Sequence, residues 1–499
     1  MVRAGIIRVS SLETWNCPND FDDHGAIVSN QNPIMEAGSK ARARVSGESA
    51  AVPSHAAILA GHFRWVICAL LLLATTKSYM DRNVLSSLKH TLEPILGWND
   101  IDYGHIVAAF QICYAFGMLL AGRMVDRLGT RTAFAIFMAT WSLAAMAYGD
   151  APSIAVYLSP AFVSLHKLWG YFPEAHGTVA GFLAVAAAMG LGQSGLFPAS
   201  LKAVAEWFPK KERALATGIF NAGTNLGASI TPYLVTLITI RLARPWPWAF
   251  YLVGGSGFVW LIFWLLIYRR PQEHPSVSKS EPHILSDPQP AVETKTSWLK
   301  LLSHRQTWSF VLGKLCIDPI WWFWLFWAPD VFQRRFGMSL SQIVWPILII
   351  YLVSDVGSVL GGWFSSALIG RGVSVSVARK TVMLICALSV VPVVFAVRTD
   401  HAWVAVTLIS VAAAAHQAFS ANLFTLPSDM FPSRAVGSVV GIGGAAGGIG
   451  GFLIANTVGH VLQNTGSYVV PFLIASSAYV VALFLIHMLS PRFTPAQIS

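Results

Sequence analysis

Apolar residues in this chain are gathered into twelve runs, at about 65–86, 103–124, 131–149, 177–201, 214–240, 247–268, 307–330, 341–369, 380–397, 402–426, 435–461 and 468–489. Each is close to the ~20 residues that a helix needs to cross a bilayer. The expected fold class is therefore an all-α membrane protein with twelve spanning helices. Composition agrees, since 499 residues that are 55% hydrophobic and only 12% charged, with a mean hydropathy of +0.57, lie outside the range of soluble domains.

The charges between the runs set the expected orientation. With the N-terminus inside, Arg123, Arg127 and Arg131, then Lys210, Lys211 and Arg213, then Arg269 to Arg305, then Arg371, Arg379 and Lys380, and finally Arg434 and Arg492 all fall on the cytoplasmic side. The opposite side receives Lys89, Lys167, Arg241, Arg244, Arg334, Arg335 and Arg398. This bias fits twelve spans with both termini cytoplasmic in the cell inner membrane. The net charge of +10 is scattered through short loops, so it carries no expectation of nucleic-acid binding. Four of the five cysteines (Cys68, Cys113, Cys316 and Cys386) lie inside apolar runs and read as packing residues. Residues 1–60 are polar and mixed, without the apolar core of a cleavable leader, and read as a disordered cytoplasmic tail.

The two halves repeat each other. RALATGI at residues 213–219 follows a Phe-Pro turn, and RAVGSVV at 434–440 follows another, 221 positions later (434 − 213). GRMVDRLGTR at 122–131 matches GWFSSALIGR at 362–371 more loosely, 240 positions later (362 − 122). Such duplication is the trace of a two-lobed transporter that rocks around a central site. The difference between the offsets places about 19 extra residues in the first half, supplied by Asp150 to His176 with Pro152, Pro160 and Pro173. The expected organisation is a tail (1–63), a six-helix bundle (64–270) with an extracytoplasmic insertion (150–176), a cytoplasmic linker rich in Pro, Ser and charge (271–304), a second bundle (305–490) and a short cytoplasmic tail (491–499).

Within the first run, Lys77, Tyr79, Asp81 and Arg82 occupy one to two turns of a single helix. Ionisable groups at membrane depth cost ~2.5–3.5 kcal/mol each on insertion scales, so they face cavities and mark a substrate or proton path. At ~100° per residue Tyr79 and Arg82 share a face, and Lys77 and Asp81 form a second pair. That layout suits an anion-binding wall.

The decapeptide GRMVDRLGTR, coming after a second span, resembles the loop between helices 2 and 3 of the major facilitator superfamily, where Asp126, Arg127 and Arg131 would latch the cytoplasmic gate. Four further stretches resemble the anion:cation symporter branch of that superfamily, and within it bacterial hexuronate transporters. They are TTKSYMDRNVLSSLKHTL with GWNDIDYGHIVAAFQICYAFGMLLAGR, EWFPKKERALATGIFNAGTNLGASITP, LGKLCIDPIWWFWLFWAPDVF, and AAHQAFSANLFTLPSDMFPSRAVGSVVGIGGAAGGIGG. The resemblance implies two six-helix bundles and import of a sugar acid with protons; a monomer without cofactor or metal is expected. It also implies that Arg82 and Tyr79 bind substrate beside a titrating Asp81, with Tyr114 of helix 2 and Thr224 of helix 5 completing the site.

The chemistry of such a ligand agrees. A carboxylate calls for arginine, whose planar fork matches it with two parallel bonds. Sugar hydroxyls call for donors and acceptors, available from Tyr114, Asn221, Asn225, His416, Gln417, Ser420 and Asn422. Sugar C–H faces call for flat apolar surface, for which Trp321 and its neighbours are candidates. Lys314, paired with Asp318 at i, i+4, is a candidate second cation or a gate.

Three positions depart from the family pattern. Relatives carry an arginine and, seven residues on, a glutamate in helix 4, where this chain has Ala186 and Gln193. Lys77 stands where relatives have an apolar residue. The coupling is thereby left open between proton symport through Asp81 and a uniporter or exchanger, and the cargo between a sugar acid and another organic anion. An ion channel and a membrane enzyme are the rivals from other classes, and no nucleophile–base pair, metal-ligand cluster or phosphate loop favours the enzyme.

Overall fold

The computed structural model of the protein describes residues 55–169, 177–208, 210–271 and 298–496. The expected tail as far as residue 54, the end of the insertion (170–176), most of the linker (272–297) and residues 497–499 lie outside the described residues.

All regular structure among the described residues is helical. The first half runs α1 (His55–Leu96), α2 (Asp100–Leu128), α3 (Thr130–Ala147), α4 (Ala151–Trp169), α5 (Val179–Gln193), α6 (Leu196–Trp207), α7 (Lys210–Thr236) and α8 (Pro247–Ile267). The second runs α9 (Trp298–Leu302), α10 (Arg305–Phe336), α11 (Val344–Gly370), α12 (Val375–Val390), α13 (Ala402–Leu423), α14 (Leu426–Met430), α15 (Ser433–Thr465) and α16 (Val469–Leu489). Among the described residues, eleven helical stretches are long and apolar enough to cross a membrane, with α5–α6 and α13–α14 each counting as one. The twelfth is α7, whose 27 residues suffice in length. Its basic start and the polar Asn221, Thr224, Asn225, Ser229 and Thr231 along it keep it below the hydropathy of the others.

Packing repeats between the halves. In the first, α1 packs on α7, α2 on α5 and α3 on α8; in the second, α10 packs on α15, α11 on α13 and α12 on α16. The halves meet along α2 with α15, α7 with α11 and α1 with α10. Close approach relies on absent side chains. A methyl group on Gly227 of α7 would lie 2.2 Å from the Thr76 carbonyl of α1, and one on Gly104 of α2 would lie 2.7 Å from the Ala455 carbonyl of α15. The α2–α15 seam is shut from that end to the level of Met118 and Gly444, where an added methyl group on the glycine would touch the Met118 side chain at 3.5 Å. Further along, methyl groups on Gly122 or Gly441 would meet nothing within 4 Å. The halves thus close at the end bearing Lys89 and separate toward the end bearing Asp126.

The insertion is helical over Ala151–Trp169 and packs on α5. Pro152 falls in the first turn of α4, where no intrahelical N–H is needed. Thr130–Ser164 is a continuous helical stretch of 35 residues. That is roughly 50 Å at 1.5 Å per residue, longer than the ~30 Å hydrocarbon core, so one end must project into water. In a background without the native cysteines, Ser164→Cys is expected to react with a membrane-impermeant thiol reagent on intact spheroplasts. Protection until lysis would put this segment inside the cell and overturn the topology.

Candidate functional site

The site is built around Arg82, which is 1% exposed midway along α1. Its guanidinium carbon lies 4.5 Å from the ring centre of Tyr79, 5.1 Å from Phe110, 5.0 Å from Tyr114 and 5.2 Å from Trp322, so helices from both halves enclose it in aromatic faces. Nε donates to Oε1 of Gln193 on α5, whose own Nε2 donates to the Ser78 carbonyl. Neither Nη1 nor Nη2 has a hydrogen-bond partner. A buried cation costs several kcal/mol in a low-dielectric interior, and the rings offset only part of that. Two forked donors therefore stand ready for a planar anion.

Lys77 and Asp81 lie around the helix from this group. Their side chains form a buried ion pair with each other, and the Lys77 stem lies against α8, where a methyl on Gly257 would meet it at 3.2 Å. The pair therefore points into the first bundle, away from the aromatic cage. Without a charged residue at 186 or 193, the Asp81 carboxylate is paired with Lys77, and Arg82 Nε finds its acceptor in Gln193.

The second half contributes a separate cluster. Trp321 stacks on His416 at 4.9 Å between centroids, and His416 Nδ1 lies 2.7 Å from the Tyr479 hydroxyl. Tyr351 meets Trp321 edge-on at 5.8 Å. Lys314 bonds Asp318 at 2.7 Å and stands 4.0 Å over Phe424, so it is occupied as an ion-pair partner. Between the halves, Asn225 Nδ2 donates to Asp355 of α11. Thr224 is buried beside it, whereas Asn221, one turn away, is exposed. Ser420 is buried and Gln417 half-buried on α13.

Asn422 is not brought to the cage. Its amide donates to the Gly361 and Ala418 carbonyls, and Arg379, which bonds Asp429 at 3.1 Å, approaches its oxygen at 3.5 Å. The residues proposed for a gate make contacts within the first half. Asp126 pairs with Lys202 of α6 at 3.1 Å, Arg131 donates to the Leu265 carbonyl of α8, and Arg127 is exposed.

Residues 71–455 match the Major Facilitator Superfamily. The chain belongs to this superfamily. It is a multi-pass membrane transporter, not an enzyme. A hexuronate transporter of Escherichia coli strain K12 is 31% identical over 411 residues, which cover 81% of this chain and 88% of that one. A galacturonate transporter of Dickeya chrysanthemi is 29% identical over 306 residues, covering 60% of this chain and 81% of its own. Among solved structures, the inward-open xylose transporter of E. coli shares the fold with a TM-score of 0.62 at 14% identity, covering 86% of this chain and 96% of that one. A bacterial homologue of the human lysosomal transporter Spinster gives 0.63 at 16% identity, covering 86% and 97%.

In this major facilitator protein the shut end of the seam holds a charge network that sequence reasoning missed. Lys89, assigned by charge counting to the loops opposite the N-terminus, is fully buried in α1. Its Nζ reaches Glu93 at 2.6 Å, Asp100 of α2 at 3.0 Å and Asp330 of α10 at 3.0 Å. Arg334 of α10 grips Asp100 through two bonds of 2.7 and 2.9 Å, and the Tyr468 hydroxyl donates to Asp330. Asp355 and Gln111 were missed as well. The only signal for the network was the spacing of Lys89 to Glu93 and of Asp330 to Arg334, both i, i+4, beyond the apolar runs.

Proposed function

We propose that this transporter imports a carboxylated sugar of the hexuronate class by alternating access, as a monomer in the cell inner membrane with both termini cytoplasmic. In this reading residues 64–270 and 305–490 are the rocking bundles, 271–304 a cytoplasmic linker and 150–176 an extracytoplasmic cap. The observation that carries it is Arg82, sealed in four aromatic faces with Nη1 and Nη2 unpartnered. A carboxylate satisfies that fork, and the sugar's C–H faces suit the rings. The hexuronate and galacturonate transporters among its relatives support the same cargo. With the Lys89 end taken as external, the cleft opens to the cytoplasm. The cage, the Trp321–His416 stack and the Asn225–Asp355 contact are the parts proposed to touch or follow substrate.

For the driving ion, one observation favours a second reading beside proton symport through Asp81. Symport needs Asp81 to titrate during the cycle, and a Lys77 that snorkelled to the interface would allow it. Lys77 instead bonds Asp81 inside the bundle. In that pair Lys77 balances the Asp81 carboxylate within the protein, an arrangement that suits a uniporter or exchanger.

One experiment tests both parts. In proteoliposomes loaded with unlabelled hexuronate, labelled hexuronate is expected to enter by counterflow, with competition from other sugar acids and none from neutral hexoses. Neutral hexoses competing equally would overturn the cargo. An imposed pH gradient is expected to change uptake by less than about twofold in the exchanger reading, in which the Lys77–Asp81 pair stays closed through the cycle. Concentrative uptake that follows the gradient and disappears in Asp81→Asn, with counterflow retained, would restore symport.

A further inference from the structure

Two glutamines lie fully buried near Arg82, and they differ in one respect. Gln193 spends both ends of its amide, on Arg82 and on the Ser78 carbonyl. Gln111 of α2 is 0% exposed, and neither its Oε1 nor its Nε2 has a hydrogen-bond partner. An amide buried without partners costs ~1–3 kcal/mol for each lost group, so a sequence retains one where another state or a ligand completes it. Its position is defined from three sides. Tyr114, three residues on along α2, shares its face and lies 5.0 Å from the Arg82 guanidinium. The Gln111 Cδ and the Trp322 Cδ1 both lie within 3 Å of the point where a methyl group on Gly451 would sit, at 2.8 and 2.9 Å. Trp322 in turn faces Arg82 at 5.2 Å. The free amide and the free ends of the guanidinium therefore border the same indole, and only a glycine at 451 on α15 leaves room for the amide.

We propose that Gln111 is a specificity residue that reads the hydroxyl nearest the carboxylate of the sugar acid, the C4 hydroxyl in a hexuronate ring. The inference rests on the sugar-acid reading above. The carboxylate sits on Nη1 and Nη2 of Arg82, the ring carbons lie against Trp322, and the hydroxyl donates to Oε1 and accepts from Nε2 of Gln111. A site built to bond a hydroxyl rejects the analogue lacking it, because the buried polar atoms are then left unpaired. Gln111 also sits on the α2–α15 seam, so the same hydroxyl would be gripped where the halves close.

The test uses purified full-length protein, D-glucuronate and its 4-deoxy analogue, with affinity by calorimetry and melting of the unliganded protein as two separate readouts. Gln111→Met keeps the volume and removes the amide. It is expected to weaken D-glucuronate binding about tenfold, to leave the 4-deoxy analogue within about twofold, and to leave the unliganded melting temperature unchanged or raised, since a partnerless buried amide is removed. A lowered melting temperature with equal loss on both ligands would make Gln111 a packing residue and overturn the proposal. So would unchanged affinity for both. Wild-type protein that binds neither probe would sink the sugar-acid reading itself and the inference with it. Wild-type binding with an unmoved ratio of the two affinities in Gln111→Met sinks the inference alone.

Discussion

Lys89→Met is expected to lower uptake by about 10²–10³-fold, because removing one member of a buried charge network costs ~3–5 kcal/mol while its partners stay buried. Among the described residues, Lys89 is the only side chain that touches Glu93, Asp100 and Asp330 within 3.0 Å. Without it, Arg334 alone faces three carboxylates, and Asp330 keeps only the Tyr468 hydroxyl and a 3.5 Å approach from Arg334 Nε. The closed seam becomes the costly state, and a carrier that cannot close at one end cannot open at the other. Lys89→Met combined with Asp330→Leu is expected to recover at least about tenfold, since replacing both partners of a buried pair with apolar groups of similar volume is often neutral. Uptake of labelled hexuronate, with melting of the purified variants alongside, decides it. A single variant that stays within a few-fold of wild type would show that the network does not hold the seam.

Arg82→Lys is expected to abolish saturable uptake although the charge is kept. A lysine offers a point ammonium in place of two parallel donors. It would also give up the bond from Nε to Gln193 and the planar stacking against Tyr79, Phe110, Tyr114 and Trp322. Charge-assisted hydrogen bonds are worth ~1.5–3 kcal/mol each, so losing one to two of them corresponds to about 10–10⁴-fold in affinity. Calorimetric binding to the purified variant checks this. Affinity within about threefold of wild type would mean that the anion is held as a point charge, and the fork would have no part in recognition.

What the sequence shows and hides follows from how far apart the interacting groups lie along the chain. Tyr79, Arg82, Lys77 and Asp81 could be paired correctly because three or four residues on one helix determine a face. Tyr114 could be added from the resemblance, and it does border Arg82. The polar character of α7 was visible as Asn221, Thr224 and Asn225, but not the partner Asp355, which lies 130 residues later. The burial and the partners of Lys89 were hidden for the same reason. Three acceptors on three different turns and helices make its burial possible, and charge counting treats every cation beyond an apolar run as solvated. Asn422 reads in sequence as a sugar-binding amide, and in the structure its amide donates to the Gly361 and Ala418 carbonyls. Gln111 carries no signal at all in sequence, since one glutamine in an apolar helix is identified only by finding that nothing bonds it.

The arrangement of charge at the shut end has a mechanical consequence. The first half contributes Lys89, Glu93 and Asp100, and the second contributes Asp330 and Arg334. Sorted this way, one jaw bears a single net negative charge and the other none, so between them there is almost no attraction at a distance. What binds them is the crossing of Lys89 to Asp330 and of Arg334 to Asp100, contacts that vanish once the jaws part by the width of a water molecule. Each cation then falls back on a carboxylate of its own side, Lys89 on Glu93 and Arg334 on Asp330. The closure behaves as a snap fastener, firm when engaged and without pull when open, and it returns to either position without having to escape a long-range field.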